Sequence, residues 1–241
     1  MAGTTDPQEE LFDVLTSEGE RTGLTVTRGL AHRLGLWHPA FHLWIGWHEG
    51  EEIFILLQRR SLTKDTMAGR IDVSVGGHFR AGEYDPQRLR QGVDREPVLR
   101  ELCEELGLQA EPEGICWVGT RWSEHREHGR HDREIQEIFL WLPPVPPQHF
   151  SPDPQEVAQV LAVPLPVLAD LLTGARPSAA ARVLWEGTGT MRGGTETTMT
   201  LTDLVPGRRE YWRAMLKVIE SAALGRPLPI LTLRRSRVGA G

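Results

Sequence analysis

The sequence predicts an α/β fold, and three observations predict it. Several short stretches alternate apolar and polar residues with period two, as strands do. One charged stretch, ending at Gly107, repeats its apolar residues at helical spacing instead. Strand-like segments both precede and follow that helix, so strands and helices share one unit.

The first strand is read at Phe41–Trp47, where Phe41, Leu43, Ile45 and Trp47 alternate with His42, Trp44 and Gly46. A second covers Glu52–Gln58, and the short polar link His48–Glu51, which contains Gly50, makes the two a hairpin. Ile71, Val73 and Val75 mark a third strand running into Gly76-Gly77. Asp94 then caps a helix whose first turn tolerates Pro97 and whose Leu99, Leu102, Cys103 and Leu106 share a face. Strands follow at Gly114–Arg121 and Glu134–Leu142, with the histidine-rich segment Glu124–Arg133 between them read as a solvated loop, its alternative being phosphate or metal contact. Pro143–Pro147 reads as an extended loop and Pro164–Thr173 as a helix stopped by Gly174. From Ala175 to Pro206 periodicity is weak, with short strands at Val183–Trp185 and Met199–Leu201. Trp212, Met215, Leu216 and Ile219 mark a last amphipathic helix, ended by Gly225.

Length and composition narrow the classes. A chain of 241 residues, 39% hydrophobic and 25% charged, can bury a core and is not a disordered composition. Net charge is −6 and no long run of Lys or Arg occurs, which speaks against a nucleic-acid polymer as partner. Met1–Glu20 is acidic without an apolar leader core, and no stretch is long enough to span a bilayer, so the expectation is a cytoplasmic protein without a membrane partner. Cys103 and Cys116 are too few to staple the chain and lack zinc spacing; they are read as reduced thiols.

The chemistry concentrates in Arg100–Leu108. Glu101, Glu104 and Glu105 fall at i, i+3 and i+4, on one helical face, with leucines opposite. Like charges so placed cost an isolated helix about 0.2–0.5 kcal/mol per pair, so the arrangement invites a cation, and hard carboxylate oxygens favour Mg2+ or Mn2+. Alone, such a cluster is more often a solvated acidic face. Its context changes that. Gly77 and Glu83, followed by Arg-Glu-apolar-x-Glu-Glu-x-Gly-apolar at Arg100–Leu108, resemble the Nudix box, with one departure: sixteen residues separate Glu83 from Arg100 where the pattern has seven, and the nine extra read as a loop insertion.

The resemblance implies an α/β/α Nudix sandwich with a mixed sheet, here with an N-terminal extension and a strand-poor C-terminal appendage ending in a helix. Residues 1–175 would form the hydrolase domain and 176–241 an appendage packed on it without folding independently. It implies that Glu101, Glu104 and Glu105, with the backbone at Gly76, hold a divalent metal against a diphosphate. Glu101 is the candidate base, Arg100 orients a carboxylate, and Glu83 belongs to the catalytic set. Arg59 and Arg60 are candidate phosphate contacts, weighed against an exposed surface pair.

The stretch His32–His78 is similar to a narrower Nudix branch, that of type I isopentenyl diphosphate isomerase. There, three histidines and two acids hold a metal; His32, His38, His78, Asp132 and Glu134 fall at similar places, and Glu134 and Glu137 are further candidate ligands or bases. The isomerase's cysteine is replaced by Gly76. The expected activity is therefore hydrolysis of a diphosphate linkage in a small phosphorylated metabolite, nucleoside diphosphate derivatives ahead of prenyl diphosphates. An isomerase-like enzyme and a non-enzymatic ligand sensor are the alternatives, and a homodimer stays open. Trp37, Trp44, Trp47, Trp117, Trp122 and Trp141 are read mainly as core or interface residues, with nucleobase stacking as the alternative.

Overall fold

The computed structural model describes residues 7–64, 66–127, 130–187 and 195–234. The chain opens with an antiparallel pair, β1 (Leu11–Leu15) and β2 (Arg21–Thr27), leading into a short helix α1 (Arg28–Leu34). The long β3 (Trp37–Glu49) and β4 (Glu52–Arg60) form a hairpin, followed by two short strands, β5 (Ile71–Asp72) and β6 (Val75–His78). Helices α2 (Pro86–Arg90) and α3 (Glu96–Leu106) come next, then the hairpin β7 (Ile115–Glu127) and β8 (Arg130–Trp141). The remainder is β9 (Val157–Pro164), α4 (Leu165–Thr173), β10 (Ser178–Glu186), β11 (Thr195–Thr200), α5 (Arg209–Ala223) and β12 (Leu231–Leu233).

Eight strands hydrogen-bond in the order β11-β10-β9-β4-β3-β8-β7-β12, while β1, β5 and β6 attach beside this path and β2 pairs with β1. The sheet is mixed: β3 runs parallel to β8 and β12 parallel to β7, and the other pairs are antiparallel. Alternation along the central strands gives the sheet two apolar faces, because successive side chains point to opposite sides. Phe41, Leu43, Ile45, Leu56 and Phe139 pack with Val98, Leu102 and Leu106 of α3. Trp44, Ile55, Leu57 and Ile138 pack on the other side with Leu168 and Leu171 of α4 and Trp212, Met215 and Ile219 of α5. Each fully buried leucine contributes about 1.5–3 kcal/mol by leaving water, so the two layers hold the sheet between them. This is the expected α/β/α sandwich.

The structure adds to or departs from the sequence reading at several points. The N-terminal extension is two strands and a helix, and Phe12 is fully buried. Helix α3 is capped by backbone at Arg95, not by Asp94: Asp94 sits at φ 57° and gives its carboxylate to Arg88. Most of Glu124–Arg133 lies in the paired arms of β7 and β8 rather than in a loop; His128 and Gly129 at its tip, like Asp65, are outside the described residues. The segment after Ala175 is not strand-poor, since β10 and β11 extend the sheet at one edge and β12 closes the other. Weak periodicity hid these strands because β10 presents alanines and β11 threonines, which give little apolar contrast. No helix among the described residues is long and apolar enough to cross a membrane.

Candidate functional site

A cavity of about 410 Å³ opens where α3, β6, β3, β8, α1 and the loop after β4 converge, and Glu101, Glu104 and Glu105 all line it with Gly76 and Gly77. The glutamates come from one helix and the glycines from the strand that crosses beside it. A Cβ on Gly77 would lie 2.7 Å from Glu101 Cγ and 2.7 Å from Phe41 Cζ, so only glycine lets strand and helix approach this closely. Gly76 meets no such limit, its nearest neighbour being His42 at 3.6 Å. Its N–H points toward Glu105 Oε2 at 3.4 Å.

Burial, reinforced by the charges of Glu105 and Glu104, raises the pKa of Glu101 to about 8. Burial also raises Glu105 to about 7, outweighing Lys64, Arg60 and the Gln58 amide, which donates to Glu105 Oε2 at 2.9 Å. The nearby Arg100, Lys64 and Arg60 do not offset this burial and crowding, and a divalent cation is the partner that would keep both carboxylates ionised. All the donors are oxygens, which fits a hard cation such as Mg2+ or Mn2+.

The insertion within the box does not part Glu83 from Arg100. Arg100 Nη1 and Nη2 reach Glu83 Oε1 and Oε2 at 2.7 and 3.2 Å, a bidentate pair, and Arg100 Nη2 lies 3.6 Å from Glu101 Oε1. The extra residues are more than a loop: they fold as α2, begun by Asp85 accepting from the Gln87 and Arg88 N–H groups, and α2 buries Leu89 in the core shared with α3.

A second cluster adjoins the same cavity, which His32, His78, Asp132 and Glu134 line and the fully buried His38 does not. Ring nitrogens of His32, His38 and His78 lie within 4.8 Å of one another, and those of His38 with Asp132 and Glu134 form an overlapping group of the same size. His38 Nδ1 donates to Leu36 O at 3.0 Å, which leaves Nε2 as the lone-pair nitrogen facing Asp132 at 3.6 Å. Burial, followed by repulsion from neighbouring histidines, lowers His32 to about 3 and His38 to about 4, so both rings are neutral near pH 7. Burial alone would raise Glu134, but the His78 hydrogen bond at 3.1 Å and the charge of Arg208 hold it well below the usual carboxylate range. Imidazole nitrogens beside carboxylate oxygens are a donor set that fits a cation of intermediate softness.

Of the expected residues, His38, Glu83 and Arg100 reach lining residues without lining the cavity themselves, and two others, Arg59 and Glu137, face away from it. Adjacent residues on a strand face opposite sides, so Arg60 lines the cavity while Arg59 turns away to Gln159 and the Gly69 carbonyl. Glu137 likewise lies opposite Glu134 and Gln136, enclosed by donors from Tyr84, Trp117 and Thr120 at 3.0, 2.6 and 2.9 Å. Conversely, Gln58, Lys64, Asp72, Gln136 and Arg208 take part in the site or line it without having been singled out. Period-two alternation from Arg60 points to Gln58; nothing local marks Arg208, which reaches Asp72 Oδ1 at 2.6 Å across the sheet.

An uncharacterised Nudix hydrolase of Clostridium acetobutylicum is 27% identical over 212 residues, 88% of this chain and 98% of that protein. Nudix hydrolase 3 of Arabidopsis thaliana is 32% identical over 174 residues, 70% of this chain but only 21% of the plant protein. The crystal structure of a NUDIX hydrolase from Alicyclobacillus acidocaldarius shares 14% identity over 80% of this chain and 97% of its own, with a TM-score of 0.49. The NUDIX domain itself matches residues 37–185, which run from the start of β3 to the end of β10 and take in both the glycines of β6 and the glutamates of α3; with more than half of its length so matched, the chain belongs to the NUDIX domain family.

Proposed function

We propose that the protein is a metal-dependent hydrolase that cleaves a diphosphate linkage in a small phosphorylated metabolite, a nucleoside diphosphate derivative in the first instance. The observation that carries this reading is the convergence of Glu101, Glu104 and Glu105 on one cavity, where burial and mutual repulsion raise Glu101 and burial raises Glu105 despite the nearby Arg100, Lys64 and Arg60. Mg2+ or Mn2+ held there supplies Lewis-acid polarisation of phosphoryl oxygens and a lowered pKa for bound water. Glu101 takes the proton of the attacking water at one of its carboxylate oxygens. Arg100, clamped by Glu83 and 3.6 Å from Glu101, fixes that carboxylate's orientation. Gly77 admits Glu101 to its position, Gln58 holds Glu105, and Arg60 and Lys64 bring positive charge to the cavity for phosphate oxygens. In the same reading, residues 1–175 are the hydrolase domain and 176–241 an appendage that depends on it.

The test is product release from a panel of nucleoside and prenyl diphosphates, with Mg2+ and with chelator. Chelator-sensitive cleavage is expected, lost in the Glu104→Gln plus Glu105→Gln variant. Undiminished cleavage by that variant sinks the proposal.

The histidine cluster favours a second reading, an isomerase-like enzyme holding a metal through His32, His38, His78, Asp132 and Glu134. Against it, Gly76 occupies the place of the isomerase's thiol, and both Cys103 and Cys116 are exposed and outside the cavity lining. Alkene migration without loss of phosphate would establish it over hydrolysis.

A further inference from the structure

Beside the glutamate cavity lies a second one, of about 380 Å³, and Thr66, Met67, Asp132 and Arg208 line both. The two are halves of one cleft, pinched between the loop after β4 and Arg208. Half of the residues lining the second cavity come from segments outside the matched family region: Val205–Arg208 before α5, Glu210 and Tyr211 on it, and Leu233 and Arg234 at β12.

Arg121 on β7 lies in the wall of this second cavity, its guanidinium 4.8 Å over the Tyr211 ring. A guanidinium carries five N–H donors, and Arg121 uses one side of its fork, on Gln136 Oε1. It has no carboxylate within ion-pair distance among the described residues. None of its nitrogens is among the sealed, unpaired atoms of the interior, so its remaining donors open on the cavity. Burial, and then the repulsion of Arg208, brings its pKa down to about 10, as for a cation short of compensation.

The acids of the same cavity do not offset it. Glu124 is engaged by His131 at 2.6 Å and Arg133 at 3.4 Å, Glu210 by Arg213 at 3.3 Å, and Asp132 faces His32 and His38. Arg208 spends its charge on Asp72. Arg121 is thus a cation with free donors, deep in a cavity, and a planar fork of this kind recognises phosphate or carboxylate oxygens.

We propose that the second cavity is an anion subsite in which Arg121 receives a phosphate or carboxylate group on the substrate, remote from the linkage that is cleaved. The hydrolase reading enters only in naming that anion as part of the substrate. The substrate class is then narrower than a diphosphate with a neutral remainder: it bears a further anionic group on the far side of the Arg208 pinch. Trp122, whose ring carries Arg234 at 4.3 Å and whose Nε1 donates to Ser17 O at 2.9 Å, gives the subsite a fixed aromatic wall for a ring attached to that anion.

The experiment is calorimetric titration of the full chain, with chelator present, using phenyl phosphate, benzoate and neutral benzamide. The expected result is that at least one of the two anions binds more tightly than benzamide, and that Arg121→Gln weakens that binding by about tenfold or more while leaving benzamide unchanged. Preference for phenyl phosphate identifies a phosphorylated group, preference for benzoate a carboxylate. Arg121→Lys, which keeps the charge and loses the fork, is expected to fall between; matched melting temperatures exclude a folding defect. Anion binding that ignores Arg121→Gln, or no preference for anion over benzamide at millimolar concentrations, overturns the subsite. Because metal and cleavage play no part, Arg121-dependent binding in a protein that cleaves no diphosphate would leave the subsite standing and remove the hydrolase reading instead.

Discussion

The glutamate face of α3 and the histidine cluster meet at one cavity, yet they are assembled in different ways. Glu101, Glu104 and Glu105 arise from a single helical turn, and their grouping follows from the 3.6-residue repeat alone. His32, His38, His78, Asp132 and Glu134 come from α1, β3, β6 and β8, and meet only because β3 pairs with β6 on one part of its length and with β8 along most of it. The chemistry divides in the same way. Burial raises the pKa values of Glu101 and Glu105, whereas His32 and His38 are neutral rings near an ionised Glu134. A local cluster can keep its side chains together through small shifts of the sheet; an assembled one depends on strand register, where a slip of one residue turns every side chain to the other face.

Experiments can break this contrast at several points. The largest effect is expected from Glu101→Gln, which removes the candidate base and lowers kcat by about 10²–10⁴-fold, read in steady-state hydrolysis, while metal bound by the histidines is unaffected. Next is Gly77→Ala. Its Cβ overlaps Glu101 and Phe41, and overpacking of this kind costs about 1–3 kcal/mol, visible as a lower melting temperature together with lost activity. A Gly77→Ala protein as stable and active as the parent would show that the strand and helix are not in the close contact described.

A smaller effect tests the assembled site. Gln136 supports Glu134 through its amide, and Gln136→Met is expected to weaken zinc or manganese binding at the histidines by about 10–100-fold, measured by competition with a chelating dye. Magnesium-dependent hydrolysis should change less than zinc affinity; equal losses in both would mean that the two clusters work as one centre. The smallest effect is expected from Gly76→Ala. Its Cβ meets only ordinary contact, so thermal unfolding should show no loss of stability, or a gain of about 0.4–1 kcal/mol from the stiffer unfolded chain.

The same division separates what was legible in the sequence from what was not. Strands β3 and β4, helix α3, the end of α4 at Gly174 and the amphipathic α5 could be read from periodicity and stop signals, since these are properties of neighbouring residues. Arg60 and Arg59 could not be told apart until the face of β4 was known. Asp94 looked like a helix cap, but Arg88, six residues away, competes for its carboxylate. The strands β10, β11 and β12 gave little apolar contrast, and their place in the sheet comes from pairing with partners far along the chain.

What the sequence determined by itself is therefore the α/β class and the glutamate triplet on one helical face, both consequences of short-range spacing. Only the tertiary structure decided that Glu83 still clamps Arg100 across the inserted helix, that Glu137 is enclosed while Glu134 is not, and that Arg208 and Arg121 meet beside the cavity. Those outcomes depend on strand register and sheet order, which bring together residues separated by many tens of positions, and no local periodicity encodes which of two neighbouring side chains will face the site.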